Sequence, residues 1–211
     1  MDKKLRVSPA PSLLLGMLLR VFNAMNCGGI FLNADKRVVH ISGRAKTALD
    51  GCLSIKNGRL CAHDRTSDVL FQTMLDQHLK YGESHKQWRR QALGLKREDR
   101  RPLIVRTVVI EPTVRREMDD VALVLMLVDP EDCPEPSDAI LQQVFGTTKA
   151  EARIANRLLC GESLQEIAET TGVSIGTVRS QMKALFVKTE THRQAELVAL
   201  LTRLAMISED E

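Results

Sequence analysis

Hydrophobic positions in the last third of the chain recur at helical spacing, between regularly placed helix-start signals. The pairs Thr148/Glu151 and Ser163/Glu166 both have capping-box spacing, in which the hydroxyl caps the third amide and the glutamate reaches back to the cap. Gly172 follows the second apolar stretch, and glycine readily adopts the left-handed conformation that ends a helix. The pattern predicts two consecutive helices that end at a glycine turn.

A third helix is predicted directly after that turn. Ser174 is its cap, and Val178, Met182 and Leu185 recur on one side of it. This apolar side can pack on the preceding helix, so its other side remains polar. The arrangement predicts a helix-turn-helix.

The polar side of the third helix carries hydroxyls, an amide and cations that suit a major groove. Glutamine can read adenine and arginine can read guanine, whereas lysine, serine and threonine mostly contact phosphate. The third helix is expected to enter the groove and the second to cross the backbone. The residues expected to contact DNA are Thr177, Arg179, Ser180, Gln181, Lys183 and Lys188.

This segment resembles the C-terminal DNA-binding domain of LuxR/GerE-type bacterial transcription regulators. The matching positions are Thr148, Glu151, Gly161, Ser163, Glu166, Ile167, Ala168, Gly172, Val173, Ser174, Thr177, Val178, Arg179, Lys188 and Arg193. The chain departs from the family pattern at Gln181, where histidine is usual, and at Thr189, where leucine is usual. The resemblance implies an all-α four-helix domain, and it adds further DNA-contacting candidates: Ser163, Gln165, Ser174, Val178 and Arg193.

The middle of the chain shows strand-like patterns interrupted by helices. Short β-like runs, a hairpin about Asn57-Gly58 and a helix over residues 66–81 precede three further strand candidates. This order predicts an α+β fold, an antiparallel sheet with helices on one face. The strand candidates cover residues 30–32, 37–41, 86–93, 103–110 and 121–128.

The same region resembles a PAS sensor domain. Asp35, Arg37, Ser42 and Ala45 occupy places comparable to those in the opening PAS pattern, with Ser42 where asparagine is usual. The resemblance implies a domain that senses a signal or dimerises, and its ligand is unknown from sequence. A provisional set of cavity-lining residues is Leu70, Met74, Trp88 and Val105.

The first residues are predicted to form a helix rather than a leader. Lys3 and Arg6 precede an apolar run, but Arg20 and Asn23 interrupt it, no cleavage site follows, and it is too short to span a bilayer. A helix over residues 12–25 would carry an apolar stripe too wide to remain in water. It is expected to pack on its own domain, on a second copy, or on both.

Three prolines mark the domain boundary, because proline cannot extend a helix or a central strand. A lead-in helix over residues 138–145 follows. The expected divisions are an N-terminal helix (1–27), a PAS-like domain (28–130), a linker (131–137) and a helix-turn-helix domain (138–211).

Composition indicates a globular protein, and the absence of haem, flavin and chromophore signatures predicts that it has no cofactor. The chain has 211 residues, 44% hydrophobic and 27% charged, with a net charge of +3. Its five cysteines have no C-x-x-C spacing, so we expect them to be reduced and the protein to be cytoplasmic. The five histidines are scattered, which predicts no metal site.

The C-terminal domain is acidic as a whole, but the segment predicted to contact DNA is locally basic. Residues 138–211 hold 8 Lys+Arg and 10 Asp+Glu, yet residues 174–193 hold four cations against Glu190 alone. A local basic face of this kind suits nucleic acid. The denser basic stretch over residues 80–106 is expected to be a solvated sheet face or a pocket rim.

The sequence favours a non-enzymatic, dimeric transcription regulator that binds double-stranded DNA and responds to a small-molecule or protein signal. The alternative is a PAS-like interaction module whose C-terminal helices serve mainly in assembly. Two enzyme-related classes fit less well. The segment 172–176 has the G-x-S-x-G spacing of a hydrolase elbow but lacks a preceding strand, and Asp119-Asp120 precede the last strand, unlike a phosphorylated receiver site.

Overall fold

The computed structural model describes residues 11–25, 27–49, 51–82 and 92–206. Lys3, Arg6, Trp88 and most of the strand candidate at 86–93 lie outside the described residues. The chain divides into two compact units, whose main boundary falls between Asp132 and Cys133, and residues 24 and 25 group with the second unit. Within the described residues, no helix has the length and apolar character needed to cross a membrane.

The first unit is built on a five-stranded antiparallel sheet, which confirms the predicted α+β class. The strand order is β2-β1-β7-β6-β5, and β3 pairs with β4 in a separate hairpin. Both residues of the hairpin turn, Asn57 (φ 52°) and Gly58 (φ 79°), adopt the left-handed conformation expected of this tight turn. The elements are α1 (Leu13–Ala24), β1 (Gly28–Asn33), β2 (Val38–Ile41), α2 (Gly43–Leu49), β3 (Leu53–Lys56), β4 (Arg59–Ala62), α3 (Arg65–Tyr81), β5 (Ala92–Leu95), β6 (Leu103–Val109) and β7 (Val121–Val128).

Both faces of the sheet are covered, because alternate residues of the central strands are hydrophobic on both sides. Ile30 and Leu32 of β1 contribute to a core with Phe71 of α3, whereas Phe31 between them contributes to a second core. In that second core, α1 places Leu15 and Phe22 against the sheet. The expectation that the helices of the middle region lie on one face agrees with α2 and α3, which both contribute to the first core through Ala45 and Phe71. The N-terminal helix α1 lies on the other face, and its packing on its own unit is confirmed.

The buried side of α3 differs in part from the hydrophobic pattern. Phe71, Met74 and Leu75 are buried, but Leu70 is 52% exposed. Ser67, Phe71, Leu75 and His78 recur at intervals of three to four residues and form the buried side of α3, and Leu70 lies at the edge of that side. Leu70 therefore cannot line an internal cavity with Met74.

The second unit is helical. Its helices pack around one hydrophobic core, to which each contributes side chains. The core includes Leu141, Ala155, Ile167, Leu185 and Leu201. The predicted lead-in helix and the four helices after it are confirmed. They are α4 (Asp138–Phe145), α5 (Lys149–Leu159), α6 (Leu164–Thr171), α7 (Ile175–Thr189) and α8 (Gln194–Ala205).

A disulfide bond joins Cys133 to Cys160 in the second unit, with a Cα–Cα distance of 5.6 Å. The expectation that all five cysteines are reduced is wrong for this pair. The two cysteines are 27 residues apart in sequence, and no spacing rule pairs them. They meet because Asn156 of α5 donates to the Pro136 carbonyl (3.2 Å), which holds the segment before α4 against the end of α5.

Candidate nucleic-acid interface

Two hydrogen bonds fix the turn between α6 and α7. Gly172 adopts the left-handed conformation (φ 71°), and its N–H donates to the Ala168 carbonyl at the end of α6. Ser174 is extended, and its Oγ accepts from the Thr177 N–H at 3.0 Å. This cap satisfies one of the free amides at the start of α7. The two helices form the predicted helix-turn-helix.

The inward side of α7 holds it on the rest of the unit. Val178, Met182 and Leu185 are buried at 0–4% exposure, as the apolar spacing predicts. Val178 was also a candidate for DNA contact, and the structure contradicts that role. A side chain with no exposed surface cannot reach a base, so Val178 positions the helix.

The outward side of α7 is a ridge opposite that core. Successive residues of a helix are rotated by about 100°, so Gly176, Ser180, Lys183 and Val187 line up on the far side from Val178. All four are exposed, and Val187 is 79% exposed. Gly176 and Val187 were not among the sequence candidates. Counting three to four residues in each direction from Ser180 and Lys183 would have found them.

The candidate cations near the start of α7 are free to meet a ligand. Arg179 and Lys183 are exposed, and neither forms an ion pair within the part of the chain that the structure describes. Thr177 and Ser180 are also exposed, and Gln181 is half-buried. The Thr177 hydroxyl lies 2.9 Å from the Ser174 hydroxyl, so the two share a hydrogen bond at the helix start.

Lys188 occupies a different environment from the other cations. Its Nζ donates to the Glu151 carboxylate at 2.6 Å, and only 9% of the Glu151 side chain is exposed. Glu151 also accepts from the Thr148 N–H as the reciprocal half of the α5 capping box. Burial alone would raise the pKa of Glu151, but the hydrogen bonds from Lys188 and Thr148 lower it overall. Lys188 therefore joins the end of α7 to the start of α5.

Three remaining candidates lie on neighbouring elements and are exposed. Ser163 Oγ accepts from the Glu166 N–H at 3.2 Å and so caps α6. The Ser163 N–H donates in return to the Glu166 carboxylate, which lowers the pKa of that group. Gln165 donates to Glu169 at 3.1 Å. Arg193 precedes α8, where its Nε lies 3.9 Å from the Glu196 carboxylate.

The element that precedes Ser174 differs from that of a hydrolase elbow. Ser174 follows α6 and a glycine turn, so the strand that a hydrolase elbow requires is replaced by a helix. Within the described residues, no three His, Cys, Asp or Glu side chains lie close enough together to hold a metal ion.

No family model matches the chain, and no curated protein sequence matches it significantly. Solved structures do match over most of its length. A complex of phage VqmA with DPO is 14% identical, with 93% of this chain and 92% of that chain covered and a TM-score of 0.35.

A Vibrio cholerae VqmA complex with ligand and DNA is 15% identical, covers 92% and 90%, and has a TM-score of 0.35. A V. cholerae VqmA dimer without target DNA, described with LuxR-type receptors, is 14% identical, covers 92% and 89%, and has a TM-score of 0.34. Likenesses at this level carry no inference about what the chain binds.

Proposed function

We propose that this protein is a DNA-binding transcription regulator whose α7 lies in the major groove. The observation that carries the proposal is the exposed side of α7, where Arg179 and Lys183 form no ion pair with any residue that the structure describes. An exposed helix start with cations and hydroxyls matches what a duplex presents, namely base edges flanked by phosphates. The free amides at the α7 N-terminus add donors suited to phosphate.

The candidates divide by environment into contacting and positioning residues. Arg179 and Gln181 are assigned to base edges, and Lys183, Thr177 and Ser180 to bases or phosphates. Ser163, Gln165, Ser174 and Arg193 are assigned to phosphates from the neighbouring helices and loop. Val178 and Lys188 are assigned to positioning, because one is in the core and the other is bound to Glu151.

We further propose that the protein acts as a homodimer. The exposed side of α1 carries Leu13 (84% exposed), Met17 (57%) and Val21 (49%) at intervals of four residues. Residues with this spacing lie on one side of a helix, and apolar rows of this kind often mark association surfaces. Two DNA-binding units in one assembly would bind two half-sites more tightly than either unit alone.

The first unit is assigned to sensing a small-molecule or protein signal, with cytoplasmic location and no catalytic step. Its sheet with helices on both faces supports such a domain, and its signal is not identified by the geometry. The competing proposal is an interaction module in which the second unit serves assembly. That proposal leaves the unpaired cations of α7 without a role.

Binding of double-stranded DNA decides between these proposals. Genomic fragments selected by the full-length protein would provide the operator, and fluorescence anisotropy would measure its affinity. Arg179→Ala and Lys183→Ala are each expected to weaken binding about tenfold or more. Arg153→Ala is the matched control, because Arg153 is an exposed arginine on α5, and it should change affinity less than about twofold. Unchanged binding for both α7 variants would refute the assigned face.

A further inference from the structure

The segment that connects the two units is fastened at both ends. At the end of β7, both oxygens of Asp129 accept from Arg97 at 2.6 Å. The Arg97 side chain is 2% exposed, and its Nε also donates to the Arg101 carbonyl. The Arg97 hydrogen bonds lower the pKa of Asp129, so the pair is ionised across the neutral range. Two later residues are also held to the first unit, because the Arg101 N–H donates to Glu131 at 2.9 Å and Arg44 donates to Asp132 at 3.1 Å. Asp132 is therefore the last held residue of the first unit.

The other end is fastened twice, first by the disulfide and then by a hydrogen bond. Cys133 is bonded to Cys160 at the end of α5, and three residues later the Pro136 carbonyl accepts from Asn156. Asn156 is buried, and Ser137 then caps α4. With the disulfide closed, the second unit starts at Cys133. Without it, the first fastened residue is Pro136.

Opening the disulfide therefore lengthens the free connection. Asp132 and Cys133 are adjacent, one Cα step of about 3.8 Å, whereas Asp132 and Pro136 are four steps apart, a maximum reach of about 14 Å. We propose that the Cys133–Cys160 disulfide is a thiol-exchangeable lock that sets the length of the segment between the sensing and DNA-binding units.

The exchange chemistry is accessible at one sulfur. Cys160 is exposed and Cys133 is half-buried. A dithiol attacks Cys160 Sγ as a thiolate, a mixed disulfide forms, and Cys133 leaves as a thiolate that takes a proton. The second thiol of the dithiol then displaces Cys160. Two electrons and two protons pass to the protein, and a small disulfide such as oxidised glutathione reverses the change.

A carboxylate is already placed to receive the released thiol. Glu135 Oε1 lies 3.6 Å from Cys160 Sγ. A disulfide sulfur has no hydrogen to donate, so this contact becomes a hydrogen bond only in the reduced chain. The reduced Cys160 therefore gains a partner as the segment before Pro136 is released.

The regulatory consequence rests on the proposed function. Tethered units engage two half-sites with an effective concentration that depends on tether length. The oxidised and reduced dimers are therefore expected to differ in operator affinity, by about threefold or more.

The lock itself is tested without DNA. In deuterated full-length protein, ¹⁵N relaxation is measured at Cys133 with oxidised glutathione and with dithiothreitol. Order parameters should fall from about 0.8 in the oxidised chain to below about 0.6 in the reduced chain. Cys133→Ser should give the low values under both conditions. Cys61→Ser, at a half-buried cysteine outside the disulfide, should behave like the natural chain.

Mass spectrometry after alkylation establishes whether the bond forms. The oxidised chain should carry two fewer alkyl groups than the reduced chain, at Cys133 and Cys160. Failure of these cysteines to pair under oxidised glutathione, or identical order parameters in both states, would overturn the lock. Order parameters that change in a protein without affinity for DNA would support the lock and refute the proposed function.

Discussion

Lys188 near the end of α7 donates to the buried carboxylate of Glu151 in the first turn of α5, with the nitrogen and oxygen 2.6 Å apart. The same carboxylate closes the α5 capping box through the Thr148 N–H. The Glu151 side chain thus caps the start of α5 and also holds the C-terminal end of α7, the helix proposed to contact DNA. The orientation of α7 depends on this contact as well as on its apolar side.

Removing the cation should destabilise the second unit. Lys188→Met leaves the Glu151 carboxylate without its charged partner, and hydrogen bonds to charged groups contribute about 1.5–3 kcal/mol. We expect the free energy of unfolding to fall by that amount in urea titrations. A double-mutant cycle with Glu151→Gln should show coupling above about 1 kcal/mol. Additive effects would mean that the ion pair contributes little.

Acidification should weaken the same contact. The pKa of Glu151 in the folded chain is below its ordinary value of 4.5. A carboxyl with a lowered pKa contributes stability above its unfolded value, and that stability is lost as pH falls through the folded value. The natural chain should therefore lose more stability than Glu151→Gln between about pH 5 and pH 3. Parallel pH profiles of the unfolding free energy would contradict this assignment.

Ser174 separates the capping role from the proposed DNA contact. Aspartate caps helices about as well as serine, so Ser174→Asp should keep the unfolding free energy within about 0.5 kcal/mol, whereas Ser174→Ala should cost about 1 kcal/mol. The aspartate would nevertheless repel phosphate at the α7 start. DNA affinity should therefore fall more in Ser174→Asp than in Ser174→Ala. If affinity fell more in Ser174→Ala than in Ser174→Asp, the start of α7 would not face a phosphate.

Gly29 of β1 lies against the Phe22 ring of α1. A Cβ at this position would lie 2.8 Å from Cδ1 of Phe22 and 3.2 Å from Cε2 of Phe31. Gly29→Ala should displace the Phe22 ring and cost about 1–3 kcal/mol. Amide exchange in α1 should accelerate more than exchange in α3. Gly43→Ala is the control, because no heavy atom lies within 4 Å of a Cβ there.

The disulfide should also stabilise the second unit. It joins residues separated by 27 positions, and closing a loop of that size in the unfolded chain is worth about 3–4 kcal/mol in the entropic treatment. Dithiothreitol or Cys160→Ser should lower the unfolding free energy of the oxidised protein by about that amount. Reduction of Cys133→Ser should produce no further loss. Equal unfolding free energies for the oxidised and reduced chains would contradict this expectation.

Local signals in the sequence were sufficient to define the helices of the second unit. Thr148, Ser163 and Ser174 cap helices within three residues of themselves, and Gly172 ends one, so their effect needs no distant partner. The Asn57-Gly58 turn was predictable for the same reason. Buried side chains with regular spacing, such as Val178 and Met182, were also identified from sequence.

Contacts between distant parts of the chain were decided only by the tertiary structure. Lys188 has the same local sequence signals as a phosphate-binding lysine, and its partner lies 37 residues away. Leu70 and Phe71 are adjacent apolar residues, and only the packing of α3 shows which one is buried. Sequence by itself determined where helices begin, end and carry apolar sides, because those are local properties of backbone and side chain. The fold determined which charges are paired, which cysteines meet and which face stays open, because those depend on residues brought together from far apart.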